Sequence, residues 1–514
     1  MTGEQGVQVT RDYEVVVIGG GPVGALALAM LGSAGVSALG IERDGAVWPQ
    51  ARAVHFDGET LRTFQAIGLG EQVFALCKPM CDFRMENEAG ETLMAFPTGQ
   101  WGPQAWHDDL MFHQPEVDAL VRADVERLPG VELRSGTTLQ EIEQDGHGVR
   151  CRVQTPDGSS EVLTARWVIA ADGATSTVRR LLGVANESLG TDDPWLVVDG
   201  HLRDAPGLAG DMTFLGHHTR PALWVRLPGD RVRMEFKVMP GDDAAEITTP
   251  EAVARISRGV LPLGKFEPDR MAIYTFRARV AEKWRVGNVF LAGDAAHQAP
   301  PLFGQGLCSG LRDVANLVWK LRLVSQGLAA EDLLDTYESE RRPHARYWVE
   351  KAASMAGLMQ TTDPETAAGR DAYIRANPVA AAPPGAPPLG PGLHTGPGDE
   401  RAGRLSVQSV LPDERRLDDL VGVRFLLAAT PDLLEAVAAE VRAAVEADPE
   451  TVILTDAGLI APVLAEAGAA AVVVRPDRYV LGTADSPAEL EALLRLVPTT
   501  SLASGAAAPV AAGS

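Results

Sequence analysis

Three short apolar runs recur along the chain, and each is followed at once by glycine or an acidic residue. They occupy residues 13–18, 167–171 and 288–292. Apolar and β-branched runs of this length, bounded by turn residues, are typical of strands buried on both faces. The pattern therefore predicts three strands of a sheet that is covered on both faces. Each strand is followed at its carboxyl end by a glycine or an acidic residue.

The first run opens the most ordered pattern in the chain. It is followed by GGGPVG at 19–24, an apolar helix at 25–34, a strand at 36–41 and Glu42. In a strand, GxGxxG, helix, strand, acid unit, Gly19 permits the tight turn and Gly21 lets a pyrophosphate approach the backbone. Gly24 permits close helix–strand packing, and Glu42 is placed to accept hydrogen bonds from a ribose. The sequence predicts a dinucleotide site here.

The second and third runs lead into similar turns. Asp172-Gly173 follows the second, where open α/β sheets place ligand contacts. Gly293-Asp294 follows the third, and Gly304 and Gly306 then precede an amphipathic helix. A glycine-rich turn that feeds a helix offers free N–H groups and a positive dipole end to an electron-rich ligand.

Between these motifs the pattern changes to short strands, predicted at 196–198, 223–227, 233–238 and 271–276. They predict an inserted antiparallel sheet with a ligand pocket at its junction. Side chains alternate along such strands, so one face was expected to line the pocket. Its expected members are Trp224, Arg226, Met234 and Phe236. Arg226 is a candidate partner for a substrate carboxylate, with an exposed salt bridge as the alternative.

Beyond the long helical segment at 333–353, residues 375–403 are rich in Pro, Gly and Ala, which indicates a linker or surface wrap. Residues 404–498 return to α/β alternation, including a helix predicted at 433–447. The last residues, 499–514, are expected to be disordered.

Composition limits the classes of binding partner that the sequence is expected to have. The net charge of −23 argues against nucleic acid and anionic membranes. No apolar run reaches the roughly 20 residues that span a bilayer, and a cytoplasmic location is expected. The four cysteines, Cys77, Cys81, Cys151 and Cys308, are scattered, so neither disulfides nor a metal site is predicted.

Together, GGGPVG with Glu42, Asp172-Gly173 with Arg179, and Gly293-Asp294 with Pro300-Pro301-x-x-Gly304-Gln305-Gly306 resemble the class A flavoprotein aromatic hydroxylases. The segments at 52–69, 112–115 and 340–346 look most like those of 3-(3-hydroxyphenyl)propionate hydroxylases and polyketide hydroxylases. The resemblance implies an α/β fold with three parts. They are a Rossmann-like, glutathione-reductase-like FAD-binding domain, an inserted antiparallel-sheet substrate domain and a C-terminal thioredoxin-like domain that lacks CxxC.

The expected boundaries follow from this resemblance. The FAD-binding domain takes 1–76, 106–189 and 277–360, and the substrate domain takes 77–105 and 190–276. A helix end and Pro/Gly-rich linker occupy 361–403, and the thioredoxin-like domain occupies 404–498.

The resemblance also implies the residues at the cofactor. They are Gly19, Gly21, Pro22, Gly24, Glu42, Arg43, Arg52, Gln114, Asp172, Gly293, Asp294, Pro301, Gly304, Gly306, Leu307 and Cys308. Many relatives carry Asn where this chain has Cys308, so that position is a departure. Arg179 is expected to be structural.

The implied reaction consumes NADH or NADPH and O₂, and hydroxylates a phenol through a flavin C4a-hydroperoxide. Arg52, Pro301, His55 and Arg226 are the candidate catalytic residues. His217 and His218 are further candidate bases, because histidine titrates near neutrality, and His297 is expected to be structural. A homodimer is an additional expectation. The alternatives are Baeyer–Villiger or epoxidising oxidation of an aromatic polyketide, and a flavoprotein that only sequesters an aromatic ligand. A halogenase is disfavoured because WxWxIP is absent.

Overall fold

The protein is a mixed α/β structure. A computed structural model describes residues 9–146, 148–190, 192–203, 210–258, 266–377, 385–396 and 398–503. The strands, in chain order, are β1 (Val9–Ile18), β2 (Ala38–Glu42), β3 (His55–Asp57), β4 (Cys77–Pro79), β5 (Asp82–Glu86), β6 (Thr92–Pro97), β7 (Asp109–Phe112), β8 (Val131–Ser135), β9 (Thr138–Gln144), β10 (Val149–Gln154), β11 (Ser160–Ala170), β12 (Asn186–Ser188), β13 (Asp193–Leu202), β14 (Met212–Leu215), β15 (Ala222–Arg226), β16 (Arg231–Lys237), β17 (Phe266–Phe276), β18 (Arg279–Ala281), β19 (Arg285–Val286), β20 (Val289–Leu291), β21 (His297–Gln298), β22 (Phe425–Ala429), β23 (Thr451–Leu454), β24 (Ala471–Val474) and β25 (Val480–Ala484).

The helices fill the spaces between and around these sheets. They are α1 (Pro22–Ser33), α2 (Gly58–Ala66), α3 (Gly70–Ala75), α4 (Gln114–Val125), α5 (Thr177–Leu181), α6 (Ala244–Ile247), α7 (Pro250–Ile256), α8 (Gln305–Ser325), α9 (Thr336–Met359), α10 (Pro364–Ala376), α11 (Leu417–Val421), α12 (Pro431–Ala436), α13 (Ala439–Glu446), α14 (Ala457–Ala467) and α15 (Pro487–Leu494). Within the described ranges, none of them is long and apolar enough to cross a bilayer.

The three apolar runs become neighbouring strands of one sheet. Its order is β19-β20-β11-β1-β2-β8, and the pairs β20–β11, β11–β1, β1–β2 and β2–β8 are parallel. Val15, for example, pairs with both Ala38 and Trp167. Because parallel strands end at the same edge, the turns that follow β1, β2, β11 and β20 meet there.

Two helices place the glycine turns against this edge. In α1, every residue from Gly24 to Gly32 is buried, as expected for a helix that is apolar on all sides. It packs between α8 and α4. The N-termini of α1 and α8 therefore both approach the carboxyl edge of the sheet.

The second sheet has seven strands in the order β17-β13-β16-β15-β14-β5-β6. All of the strands predicted between 196 and 276 lie in it, and the hairpin β5–β6 extends its edge. One pair departs from the antiparallel prediction, since β14 runs parallel to β5. One face packs on α6 and α7 through Val232, Met234 and Ile247, and the other faces the first sheet.

The C-terminal segment forms a separate four-stranded sheet in the order β23-β22-β24-β25. The single helix predicted at 433–447 is wrong. Extended backbone at Val437 divides it into α12 and α13.

The linker and tail predictions also change in part. The expected helix end at the start of 361–403 forms a separate helix, α10, which is capped by the side chain of Asp363 and overlaps the predicted linker at 375–403 by only two residues. At the predicted disordered tail, Thr499 donates to Asp448 and Thr500 is buried, while 504–514 lie outside the described residues.

Candidate active site

A deep cavity of about 1440 Å³ lies between the two sheets. Its walls include the ends of β1, β2 and β11, the turn before α8 and one face of the seven-stranded sheet. Pockets for drug-sized ligands have volumes of about 300–1,000 Å³. The cavity therefore has room for a ligand larger than these together with a small second molecule.

The glycine turn after β1 has the geometry that the sequence predicted. Gly19 has φ +102°, and a Cβ there would lie 2.4 Å from the carbonyl oxygen of Ala171. A Cβ on Gly24 would lie 1.8 Å from the carbonyl oxygen of Gly19. A Cβ on Gly21 would meet nothing within 4 Å, because this residue borders the cavity at the start of α1. Each glycine thus serves a different steric need.

Glu42 is fixed beside this turn. Its Oε2 accepts the backbone N–H of Gly20 at 2.7 Å, and its Oε1 accepts that of Asp44 at 2.9 Å. Both Glu42 and Arg43 line the cavity. Each carboxylate oxygen has a further lone pair, so Glu42 can still accept a hydrogen bond from a ligand.

The segment that carries Arg52 is held from two sides. Gln114 Oε1 accepts the N–H groups of Arg52 and Ala53, both at 2.9 Å. From the second sheet, Arg233 donates to the carbonyl oxygens of Ala51 at 2.6 Å and Arg52 at 2.9 Å. The side chain of Arg52 is left exposed in the cavity wall. Gln114 thus positions this segment as well as lining the cavity.

Two acidic residues face the cavity from the ends of β11 and β20. Asp172 Oδ2 accepts the N–H groups of Thr177 and Val178, whereas its buried Oδ1 has no hydrogen-bond partner in the described chain. The accessible surface of Asp294 opens into the cavity rather than to bulk solvent. Burial therefore raises the pKa of Asp294, although the charges of His297 and Arg52 oppose this.

Buried polar side chains behind these acids hold their turns through hydrogen bonds. Arg179 donates to the carbonyl oxygens of Ala295 and Ala174, which agrees with its expected structural role. Asp313 accepts from the N–H of Gly293 at 3.0 Å and contacts His297 Nε2 at 2.8 Å. The expectation that His297 is structural agrees with this contact. Asp313 was missed because a charged residue within a helix gives no signal of its inward direction.

The turn before α8 forms another wall of the cavity. Pro301, Gly304, Gly306 and Leu307 line it, and Gly304 begins the helix with φ +63°. Cys308 is expected beside the cofactor, but the position of its side chain differs from this expectation. It is buried behind the turn, where its thiol contacts the carbonyl oxygens of Gly304 at 3.5 Å and His55 at 3.8 Å. The helical rotation from Leu307 carries the next side chain away from the cavity.

His55 lies on β3, directly against this turn. Its Nε2 contacts Asp109 Oδ1 at 2.9 Å, across the β3–β7 pair. A Cβ on Gly304 would lie 2.3 Å from His55 Nδ1, so the two residues are in intimate contact. Burial lowers the pKa of His55, but Asp109 and Cys308 raise it more, to about 10. An imidazole in this state is a cationic hydrogen-bond donor at neutral pH.

The predicted substrate-facing residues on the second sheet are wrong. Trp224, Met234 and Phe236 pack on the far face, in the cluster with α6 and α7. The cavity is lined instead by the alternate set on the same strands, which includes Leu223, Val225, Arg233 and Glu235.

Three further candidates also lie elsewhere. Arg226, His217 and His218 are absent from the described residues that line the cavity, and His218 pairs with Glu88 at the surface. The sequence pattern could not choose between the two faces, because both faces of this sheet are covered.

These residues fit a flavin dinucleotide. The open space at Gly21, the unpartnered Oδ1 of Asp172 and the two helix N-termini match a ligand with phosphates and hydroxyl groups. In contrast, the described residues contain no cluster of His, Cys, Asp and Glu that could hold a metal ion.

Comparisons with known proteins agree with this geometry. Residues 12–352 match the family model described as FAD binding domain. A probable NADH-specific resorcinol 4-hydroxylase of Rhodococcus jostii (strain RHA1) is 34% identical over 508 residues, which cover 94% of each chain. A 3-(3-hydroxy-phenyl)propionate/3-hydroxycinnamic acid hydroxylase of Comamonas testosteroni is 36% identical over 364 residues, covering 70% of this chain and 60% of that protein.

A solved structure has the same fold along nearly the whole chain. The flavin-dependent monooxygenase PieE, in complex with FAD and substrate, superposes with a TM-score of 0.82 at 24% identity. The match covers 95% of this chain and 99% of that one. The chain therefore belongs to the FAD-binding family, has FAD as its cofactor, and is an enzyme of the class A aromatic hydroxylase group.

Proposed function

We propose that the protein is a monooxygenase that uses NADH and O₂ to hydroxylate a phenolic ring beside an existing hydroxyl group. The observation that carries this is the single cavity joining the glycine turn, the turn before α8 and an apolar sheet face. The relative matched along 94% of its length is named as an NADH-specific hydroxylase of a phenol, which favours NADH over NADPH.

In this proposal, the glycine turn and the N-terminus of α1 bind the FAD pyrophosphate, and Glu42 binds the adenosine ribose. Arg43 and Arg52 contribute positive charge, and Asp294 binds the ribityl chain. Pro301 and the 304–307 backbone lie against the ring system, where the N–H groups that begin α8 stabilise negative charge. The chemistry that FAD supplies when bound is acceptance of two electrons from the nicotinamide and activation of O₂.

The apolar sheet face holds the substrate ring and excludes water. Aromatic, aliphatic and methionine side chains dominate it, among them Phe214, Leu223, Met85 and Met94. The raised pKa of His55 makes a role as general base unfavourable, because its ring already carries the proton. We therefore assign it an electrostatic role, in which the positive charge of the imidazolium stabilises the phenolate oxygen of the substrate while Nε2 stays bound to Asp109.

We also propose the domain arrangement expected above. The seven-stranded sheet, including β5 and β6, would be the substrate domain inserted into the FAD-binding domain. The C-terminal sheet order, with β22–β23 parallel and the two other pairs antiparallel, supports the thioredoxin-like assignment. A homodimer is a separate hypothesis that sedimentation velocity of the holoenzyme tests.

The test is turnover of the purified holoenzyme with NADH under ¹⁸O₂, using resorcinol, phenol, 3-(3-hydroxyphenyl)propionate and a polycyclic phenol. We expect substrate-stimulated NADH oxidation and a product heavier by one ¹⁸O atom on the ring. An oxygen atom inserted beside a ketone would instead support the Baeyer–Villiger alternative. Binding without substrate-stimulated NADH oxidation would support sequestration and overturn the proposal.

A further inference from the structure

One ionisable side chain stands in an otherwise apolar row across the substrate-facing sheet. Strand pairing places six residues side by side on this face, and all six line the cavity. We call them the apolar row, and they are Val197, Glu235, Leu223, Phe214, Met85 and Met94. Glu235 alone among them can carry charge or form a hydrogen bond through its side chain.

Glu235 is 6% exposed and has no hydrogen-bond partner among the described residues. Arg233, two residues earlier on β16, lies close along the strand, but four of its five N–H donors are already used by other partners. Its Nε binds Asp199 Oδ1 at 2.7 Å, and its two other nitrogens bind Asp199 Oδ2 and the carbonyl oxygens of Ala51 and Arg52. Burial raises the pKa of Glu235 to about 7, with Arg233 opposing and Asp199 reinforcing that rise.

Buried polar groups are almost always hydrogen-bonded, and a buried one that lacks a partner requires an explanation. An unpaired buried carboxyl destabilises the folded protein, so its presence in a cavity wall indicates a ligand that supplies the partner. A neutral hydroxyl group suits this position best, because it can donate to the carboxylate, accept from the protonated carboxyl and brings no second negative charge.

We propose that Glu235 binds a hydroxyl group of the substrate other than the one held at His55, so that the cavity selects uncharged rings with at least two hydroxyl groups. This inference rests on the proposed function and adds the class of substrate. A phenol bearing a carboxylate would bring a second negative charge to Glu235.

The cations nearest to Glu235 on this face are already paired with carboxylates. Arg233 and Arg270 share Asp199, and Lys237 pairs with Asp193. Arg226, the cation that the sequence offered for a carboxylate, lies outside the described cavity lining.

The experiment measures binding to the oxidised holoenzyme through the perturbation of flavin absorbance, without NADH. The ligands are resorcinol, phenol and 3-(3-hydroxyphenyl)propionate, and the variants are Glu235→Leu and Glu235→Gln. Met234→Leu is the matched control, because Met234 is the adjacent residue but packs on the far face. Circular dichroism and FAD content establish that each variant is folded.

We expect wild type and Met234→Leu to bind resorcinol more tightly than phenol. Glu235→Leu should lose about 10- to 100-fold in resorcinol affinity and little in phenol affinity, as for a hydrogen bond to a charged group. Glu235→Gln should bind the phenylpropionate more tightly than wild type, because the opposing charge is removed.

Unchanged resorcinol affinity in Glu235→Leu would overturn the inference, as would equal wild-type affinities for phenol and resorcinol. Neither result contradicts the proposed function if the wild-type enzyme still hydroxylates a phenol under ¹⁸O₂. Conversely, failure of every phenol to be hydroxylated while resorcinol binding depends on Glu235 would reject the reaction and retain the site.

Discussion

At the scale of single residues, His55 connects β7 to the turn before α8. Its ring contacts Asp109 on one side and the Gly304 turn on the other. Its pKa is raised, so the charged pair with Asp109 contributes stability fully below the ordinary histidine pKa of about 6.5. That contribution is lost as the pH rises through about 10.

His55→Gln should lower kcat by about 10²-fold, because loss of one preorganised electrostatic group at a developing oxyanion costs about that much. Asp109→Asn should let burial dominate and lower the pKa of His55. Its kcat would then fall as the pH rises through neutrality, whereas that of wild type would hold until near pH 10. His201→Gln is the control, since His201 forms a comparable pair with Asp230 at the surface. Identical pH–rate profiles for wild type and Asp109→Asn would contradict the electrostatic role of the charged ring.

Glu235 predicts a stability effect that is independent of catalysis. The folded protein retains the Glu235 proton up to a pKa of about 7, whereas an unfolded glutamate releases it near 4.3. Stability must therefore decrease as the pH rises between these values. Thermal unfolding of substrate-free Glu235→Gln and wild type should differ more, in favour of the variant, at pH 8 than at pH 5. A difference that stays constant with pH would count against a buried, titrating carboxyl.

Residue-level prediction from sequence succeeded where backbone chemistry decides the structure. Gly19, Gly21 and Gly24 could be assigned steric roles because each requirement is local to one turn. The substrate face could not be assigned, because Arg233 and Glu235 alternate with Val232, Met234 and Phe236, and either set could have faced the cavity. Only the packing of α6 and α7 on one side decides between them.

At the scale of elements, the turn from Pro301 to Gly304 and the helix that follows act as one unit. Gly304 needs φ +63° to begin α8, and it leaves no room for a side chain beside His55. A substitution there therefore disturbs the cofactor wall and the His55 ring together.

Gly304→Ala should weaken FAD binding about tenfold or more, because overpacking costs about 1–3 kcal/mol. Gly183→Ala is the matched control. Gly183 has φ +67°, but a Cβ there meets nothing within 4 Å. Both variants place an alanine in the left-handed backbone region and are destabilised by it. The difference between their FAD dissociation constants therefore reports the clash of the added Cβ with His55. Equal FAD affinities of the two variants would show that the turn shifts to accommodate the added methyl group.

Element prediction followed the same division. The three apolar runs predicted β1, β11 and β20 correctly because their short length, β-branched content and flanking turn residues favour buried strands over helices. In contrast, α12 and α13 have no proline or glycine at their junction, so the break at Val437 was invisible in the sequence.

At the scale of the whole molecule, the C-terminal segment reaches the turn before α8 through buried side chains. Tyr479 donates to Glu59 at 2.8 Å, and the other oxygen of Glu59 accepts from Arg312 at 2.5 Å. Arg312 donates in turn to Gln305 at 2.7 Å and also binds Asp57. These five side chains form a relay between the C-terminal sheet and the first residue of α8.

Tyr479→Phe should destabilise the protein by about 1.5–3 kcal/mol, since it removes a buried hydrogen bond to a charged group. Because the relay ends at Gln305, the FAD dissociation constant should rise as well. Urea unfolding and FAD titration measure the two effects. Tyr347→Phe is the control, as its hydroxyl makes only a 3.4 Å contact with the Gly385 carbonyl. A loss of stability with unchanged FAD affinity would show that the relay is purely structural.

The apolar row has a consequence for how such an enzyme diversifies. Its six side chains come from residues 82–97 and 193–237, and the glycine turns lie in neither segment. Single substitutions in the row can therefore change which ring is accepted while the backbone that holds FAD stays intact. A combinatorial library restricted to those six positions should yield a high proportion of yellow, folded variants with shifted substrate preference. The same six positions are available to natural evolution of substrate preference.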